Sequence, residues 1–179
     1  MNFIQRLQTS HLNRHGFIDV LVGVVVLKAI YVALILFFCN LNDVSDDKGP
    51  SSLWLLVFVM LLIAPLFENL LMIAIAAAHE KLFKRTLLFV VTPLVMAALH
   101  FRTPQHLPFP SAVRFTELFF IFYVFLKQYD LHKLEIGKGK ALLLSSALHF
   151  ASNATGFLIL YFVDLYIDAE TIFSAQPGE

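Results

Sequence analysis

Charge is scarce in this 179-residue chain: Asp, Glu, Lys and Arg make up 15% of it, where a soluble domain carries about 25%. The thirteen basic and thirteen acidic residues cancel to a formal net charge of zero, so nothing points to nucleic acid as a partner. A single cysteine, Cys39, excludes an intrachain disulfide and lacks the neighbours of a metal cluster, which leaves it a filler residue. There is no internal repeat and no low-complexity segment, so one membrane domain covering 1–179 accounts for the chain. What remains is apolar. Hydrophobic residues are 59% of the chain, Phe alone occurs 19 times, and the mean hydropathy is +0.77. That is too much to hide in a soluble core of this size, so apolar surface must face acyl chains.

A hydrocarbon core of about 30 Å takes roughly 20 helical residues to cross. Five apolar runs qualify, at about 17–40, 52–78, 86–103, 112–128 and 141–163. An all-α, polytopic transmembrane helix bundle of about five spans is the expected fold, because open strands and lipid-exposed loops would leave unpaired backbone groups in hydrocarbon. The first run is longer than a signal-peptide core and has no small-residue cleavage site after it, so it reads as a retained span. Trp54 suits an interfacial anchor. Pro104, Pro108 and Pro110 are expected in the loop after the third run, where water can satisfy the backbone.

Basic residues divide unevenly between the two ends of these spans. Arg6, Arg14, Lys81, Lys84, Arg85, Lys127, Lys133, Lys138 and Lys140 fall on one side; Lys48 and Arg102 fall on the other, with Asp43, Asp46, Asp47 and the acidic tail. The positive-inside rule then puts the amino terminus in the cytoplasm and the carboxyl terminus outside, in a plasma membrane, and an odd number of spans agrees.

An ionisable group near the bilayer centre costs about 2.5–3.5 kcal/mol on insertion scales, so each one inside a span is a functional candidate. Lys28, Glu68 with Asn69, His100, Arg114 with Glu117, and His149 with Asn153 are the intramembrane set. His149 and Asn153 are four apart and share a helix face. Together they can polarise a carbonyl and hold an oxyanion, or serve only to hydrogen-bond neighbouring helices. Glu68 has no other charge nearby in sequence; burial would suit it to general-base work, and Lys28 is its expected ion-pair partner. Measured from the basic turn at 79–85, Glu68 and His100 differ in depth by about 6 Å at 1.5 Å per residue, which tilt can absorb. His149 starts from the same side and reaches a comparable layer. Glu68, His100 and His149 could equally hold Zn²⁺ in an open three-ligand site, and spacing does not separate a metal from a directly held water.

The order Glu, His, His-x-x-x-Asn on successive apolar spans resembles the CAAX prenyl protease and bacteriocin-processing family of intramembrane endopeptidases, over residues 52–163, about three fifths of the chain. That family shows Ala-Pro-x-x-Glu-Glu-x-x-x-Arg, Phe-x-x-x-His and His-x-x-x-Asn motifs. Ala64, Pro65 and Glu68 match the first, His100 the second, His149 and Asn153 the third. Asn69, Ile73 and Met96 stand where the family has its second Glu, its Arg and its Phe. The resemblance implies that Glu68 and His100 activate water and that His149 and Asn153 stabilise the oxyanion, on a membrane-associated peptide or protein substrate. The departures keep a second reading open, a non-catalytic relative that binds a membrane peptide or partner through the same cavity. A proton-coupled carrier relaying through Glu68 and His149 is a third, less natural for five spans without a repeat.

Arg114 and Glu117, three apart on one helix, are expected to pair as structure, with substrate gating as the sharper alternative. His79, Glu80, Lys81, Lys84 and Arg85 are expected to snorkel to water. Ser145, Ser146 and Ser152 have no nucleophile-elbow context and are taken as small packing residues.

Overall fold

A computed structural model describes residues 14–38, 58–100 and 108–174; Cys39, Trp54, Arg102, Pro104 and the acidic loop around Asp46 lie outside them. Among the described residues there are helices and turns and no strand. The helices are α1 (Arg14–Phe38), a π-helical turn (Val59–Ile63) that continues into α2 (Ala64–Phe83), then α3 (Leu88–His100), α4 (Pro108–His132) and α5 (Lys138–Ser174).

The burial pattern along α1 shows what solvent this fold is built for. Val20, Val24, Lys28 and Val32 are buried at a spacing of four, while Ile18, Val22, Val26, Ile30 and Leu34 are exposed. A soluble amphipathic helix would put polar residues on that outer face. Here both faces are apolar, as on α2, where Phe67, Leu70 and Leu71 are exposed, and such continuous apolar surface belongs against lipid. Three segments have the length and apolarity to cross a membrane, Phe17–Leu34, Val59–Phe83 and Lys138–Ile159. At 13 residues α3 is shorter. The 25-residue α4 is long enough, but it carries Arg114, Glu117, Lys127 and Asp130 along its length.

The fourth helix is the hub. It packs against α1, α2, α3 and α5, and α1 reaches the bundle through α4 and α5. Phe122, Phe125 and Leu126 of α4 form the centre of the core with Met72, Met96 and Leu148. Around Leu148, α5 offers small or polar residues at its other buried positions, Ala141, Ser145, His149 and Ser152, which lets the backbones approach. Asn69 Nδ2 donates to Ser145 Oγ and Ser146 Oγ, each at 3.3 Å, and Ser145 Oγ donates to the Phe125 carbonyl at 3.0 Å. A neutral hydrogen-bond chain therefore ties α2 to α5 and α5 to α4, and it occupies the position where the family motif has a second Glu.

Two expectations about the connections change. The second span runs on to Phe83, so His79 is buried within it and its Nε2–H donates to the Thr86 carbonyl at 2.6 Å instead of snorkelling to water. Pro108 and Pro110 lie in the first turn of α4, where a missing amide hydrogen has no helical partner to lose. The turn between α2 and α3 is sharp: Lys84 and Leu87 both have φ of 58°, a backbone region that side chains with a Cβ disfavour.

Candidate active site

The depth of the site is set by that turn. From its two ends, Glu68 lies fifteen residues before Phe83 and His100 twelve past Leu88, a difference of about 4.5 Å in rise. Antiparallel α2 and α3 therefore bring the two groups to nearly one level. His100 Nε2 is 3.3 Å from Glu68 Oε2. From α5, His149 Nε2 approaches the same oxygen at 3.2 Å. Three helices thus deliver two imidazoles to a single carboxylate oxygen.

Packing fixes both rings. Phe122 lies 5.0 Å from the His100 ring and 5.8 Å from that of His149, edge-on to the latter, and Phe125 stacks on His149 at 4.5 Å. These two α4 residues hold the imidazoles, yet among 19 Phe no sequence signal separates them from lipid-facing ones. The three polar side chains differ in access. Glu68 and His100 are 25% and 26% exposed and His149 only 6%, so a ligand entering the site meets the carboxylate and His100 first.

Hydrogen bonding places the protons. His100 Nδ1 lies 2.7 Å from the Met96 carbonyl, which only accepts, so Nδ1 carries a hydrogen and Nε2 presents a lone pair to the carboxylate. His149 Nδ1 is buried without a partner, and Nε2 is the ring nitrogen next to Glu68 Oε2, at 3.2 Å.

As placed, the three side chains do not form a zinc site. Among the described residues no group of three His, Cys, Asp or Glu side chains could hold a metal ion. A metal-bound imidazole ordinarily gives its other N–H to a carboxylate or carbonyl, and His149 Nδ1 has no such partner. The chemistry available is that of a carboxylate with two imidazoles.

One residue stands apart from its expected place. Lys28 does not reach Glu68; its Nζ donates to Glu117 Oε1 on α4, while Arg114 pairs with Glu117 Oε2. Glu117, wholly buried, takes both cations because α1 packs chiefly on α4 and α5. Gly156 of α5 gives the lysine its passage, since a Cβ there would lie 2.6 Å from Lys28 Cε. The expected Arg114–Glu117 pair is present. Asn153, one turn beyond His149 on α5, donates through Nδ2 to the Met60 carbonyl at 3.0 Å.

No family model, curated protein or solved structure matches this chain.

Proposed function

We propose that this chain is an intramembrane endopeptidase of the kind its motifs resemble, a divergent member of the CAAX prenyl protease and bacteriocin-processing family. The observation that carries the reading is the sharing of Glu68 Oε2 by His100 and His149, at 3.3 and 3.2 Å, among helices whose outer faces are apolar. A carboxylate and two imidazoles form a set of groups able to manage a hydrolytic proton.

In the proposed reaction a water held by Glu68 and His100 loses a proton to this pair as its oxygen attacks the peptide carbonyl carbon. His149 Nε2–H turns from Glu68 to the developing oxyanion, with the Asn153 carboxamide one turn along α5 as second donor. Collapse breaks the C–N bond, and the proton taken from water passes to the leaving amine. The substrate is a membrane-associated peptide or protein, the chain crosses a plasma membrane five times, and its amino terminus is cytoplasmic. Supporting that orientation, the 84–87 and 133–137 turns with their lysines share one end of the bundle, joined by Arg85 to Asp130 and Lys133 to Glu80.

Purified protein incubated with a library of membrane-inserting peptides and read by mass spectrometry tests this. Glu68→Ala and His149→Ala should abolish cleavage, a loss of about 10² or more in kcat, while circular dichroism stays unchanged. Full cleavage by a folded Glu68→Ala variant overturns the proposal. A non-catalytic peptide-binding relative is the second reading. It is favoured by Asn69 and Ile73 standing where the family has Glu and Arg, with Asn69 engaged by two serines. Peptide capture without hydrolysis would select it.

A further inference from the structure

Pro65 carries no chemistry of its own, yet the backbone around it is wound abnormally. Residues Val59–Ile63 form a π-helical turn, and the Ala64 amide donates to the Val59 carbonyl, five residues back instead of four. In that register the next donor, due to the Met60 carbonyl, is the amide of residue 65. Proline has none. The Met60 carbonyl is thereby left without a donor on its own helix, in a segment with exposed apolar side chains where water is not on hand to replace it. Asn153 of α5 supplies the hydrogen, Nδ2 to carbonyl at 3.0 Å.

We propose that Pro65 is a positioning residue for Asn153: by orphaning the Met60 carbonyl it creates the acceptor that locks the Asn153 carboxamide with nitrogen, not oxygen, on the α2 side. The inference rests on the reading of Asn153 as an oxyanion donor. A carboxamide has two nearly isosteric faces, and rotation by half a turn exchanges a donor for an acceptor. An oxygen turned toward a developing oxyanion would repel it. The Met60 carbonyl breaks the tie, because only the NH₂ can bond to it, and Nδ2 keeps a second hydrogen for substrate. Glu68 lies one turn after Pro65 on the same helix, so the one segment that carries the general base also sets the donor on α5.

The test pairs a spectroscopic reading with a kinetic one on the full chain in detergent. With Asn side chains labelled by ¹⁵N, the Asn153 NH₂ signals are identified by their loss in Asn153→Leu. Pro65→Ala restores an amide hydrogen at residue 65, so hydrogen exchange at Asn153 Nδ2 should accelerate about tenfold or more. On a peptide that the wild type cleaves, kcat should fall about tenfold or more with KM unchanged, and Asn153→Leu combined with Pro65→Ala should be no slower than Asn153→Leu alone. Pro65→Ser, which also restores the hydrogen, replaces Pro65→Ala if the latter does not fold. Unchanged Asn153 exchange in the proline variant overturns the proposal. So does a freed Asn153 with undiminished kcat, and so do multiplicative losses in the double variant. If the wild type cleaves no peptide, the endopeptidase reading fails, and the exchange measurement alone then decides the link from Pro65 to Asn153.

Discussion

Each charged group inside this bundle survives there through its partners, and the partners follow from which helices touch. Glu117 is wholly buried between Lys28 and Arg114. A buried ion whose partner is removed costs about 3–5 kcal/mol, but the two sides of this cluster are unequal. Lys28→Met leaves Glu117 paired with Arg114, whereas Glu117→Leu strands two cations, one of them the buried Lys28. Thermal unfolding in detergent should therefore rank Glu117→Leu as the more damaging, by about 2 kcal/mol; an equal loss in both variants would contradict the assignment of Arg114 as second partner. Charge pattern alone could not reveal this arrangement. Lys28 and Glu68 are both isolated charges in apolar runs, and only the packing of α1 against α4 and α5 separates them.

At the level of elements, the turn between α2 and α3 is the device that sets the site's depth. Lys84, at φ 58° and ψ −141°, sits in a region almost reserved for glycine, at a cost of order 1–3 kcal/mol. Lys84→Gly removes that cost at the expense of about 1 kcal/mol of unfolded-chain entropy. The net expectation is a gain of about 1 kcal/mol, read as a raised unfolding midpoint, with the levels of Glu68 and His100 preserved. A drop in stability would show that the lysine side chain, not the backbone, holds the turn. The π-helical turn before α2 works at the same scale. Pro65 just after it is legible in the sequence, but the bond from Asn153 to the Met60 carbonyl, 93 residues away, is not.

Across the whole molecule, the end of the bundle bearing the 84–87 and 133–137 turns is fastened by ion pairs. Asp130, just beyond the expected end of the fourth span, bonds to Arg85 at 2.5 Å and Lys133 at 2.7 Å. Burial pushes the Asp130 carboxyl up, but the hydrogen bonds from Lys133 and Arg85 outweigh it and hold the group below its ordinary value of 3.8. A depressed folded-state value means the carboxylate contributes stability that is complete above about 3.8 and is lost as pH falls through the lower, folded value. Unfolding midpoints followed from pH 6 downward should thus fall more steeply below pH 4 in the wild type than in Asp130→Asn. Parallel curves for the two proteins would remove Asp130 from the account.

Composition by itself determined the class of this protein. With so little charge and so many apolar residues, helices with lipid-compatible faces are the arrangement in which backbone groups pair within each segment, and period and position place Glu68, His100 and His149 at similar depth. Contacts between helices were decided by the tertiary structure. It paired Lys28 with Glu117, set Phe122 and Phe125 against the imidazoles, and turned Asn153 to Met60. Helical periodicity fixes the face a residue occupies on its own helix but carries no information on which neighbour that face meets.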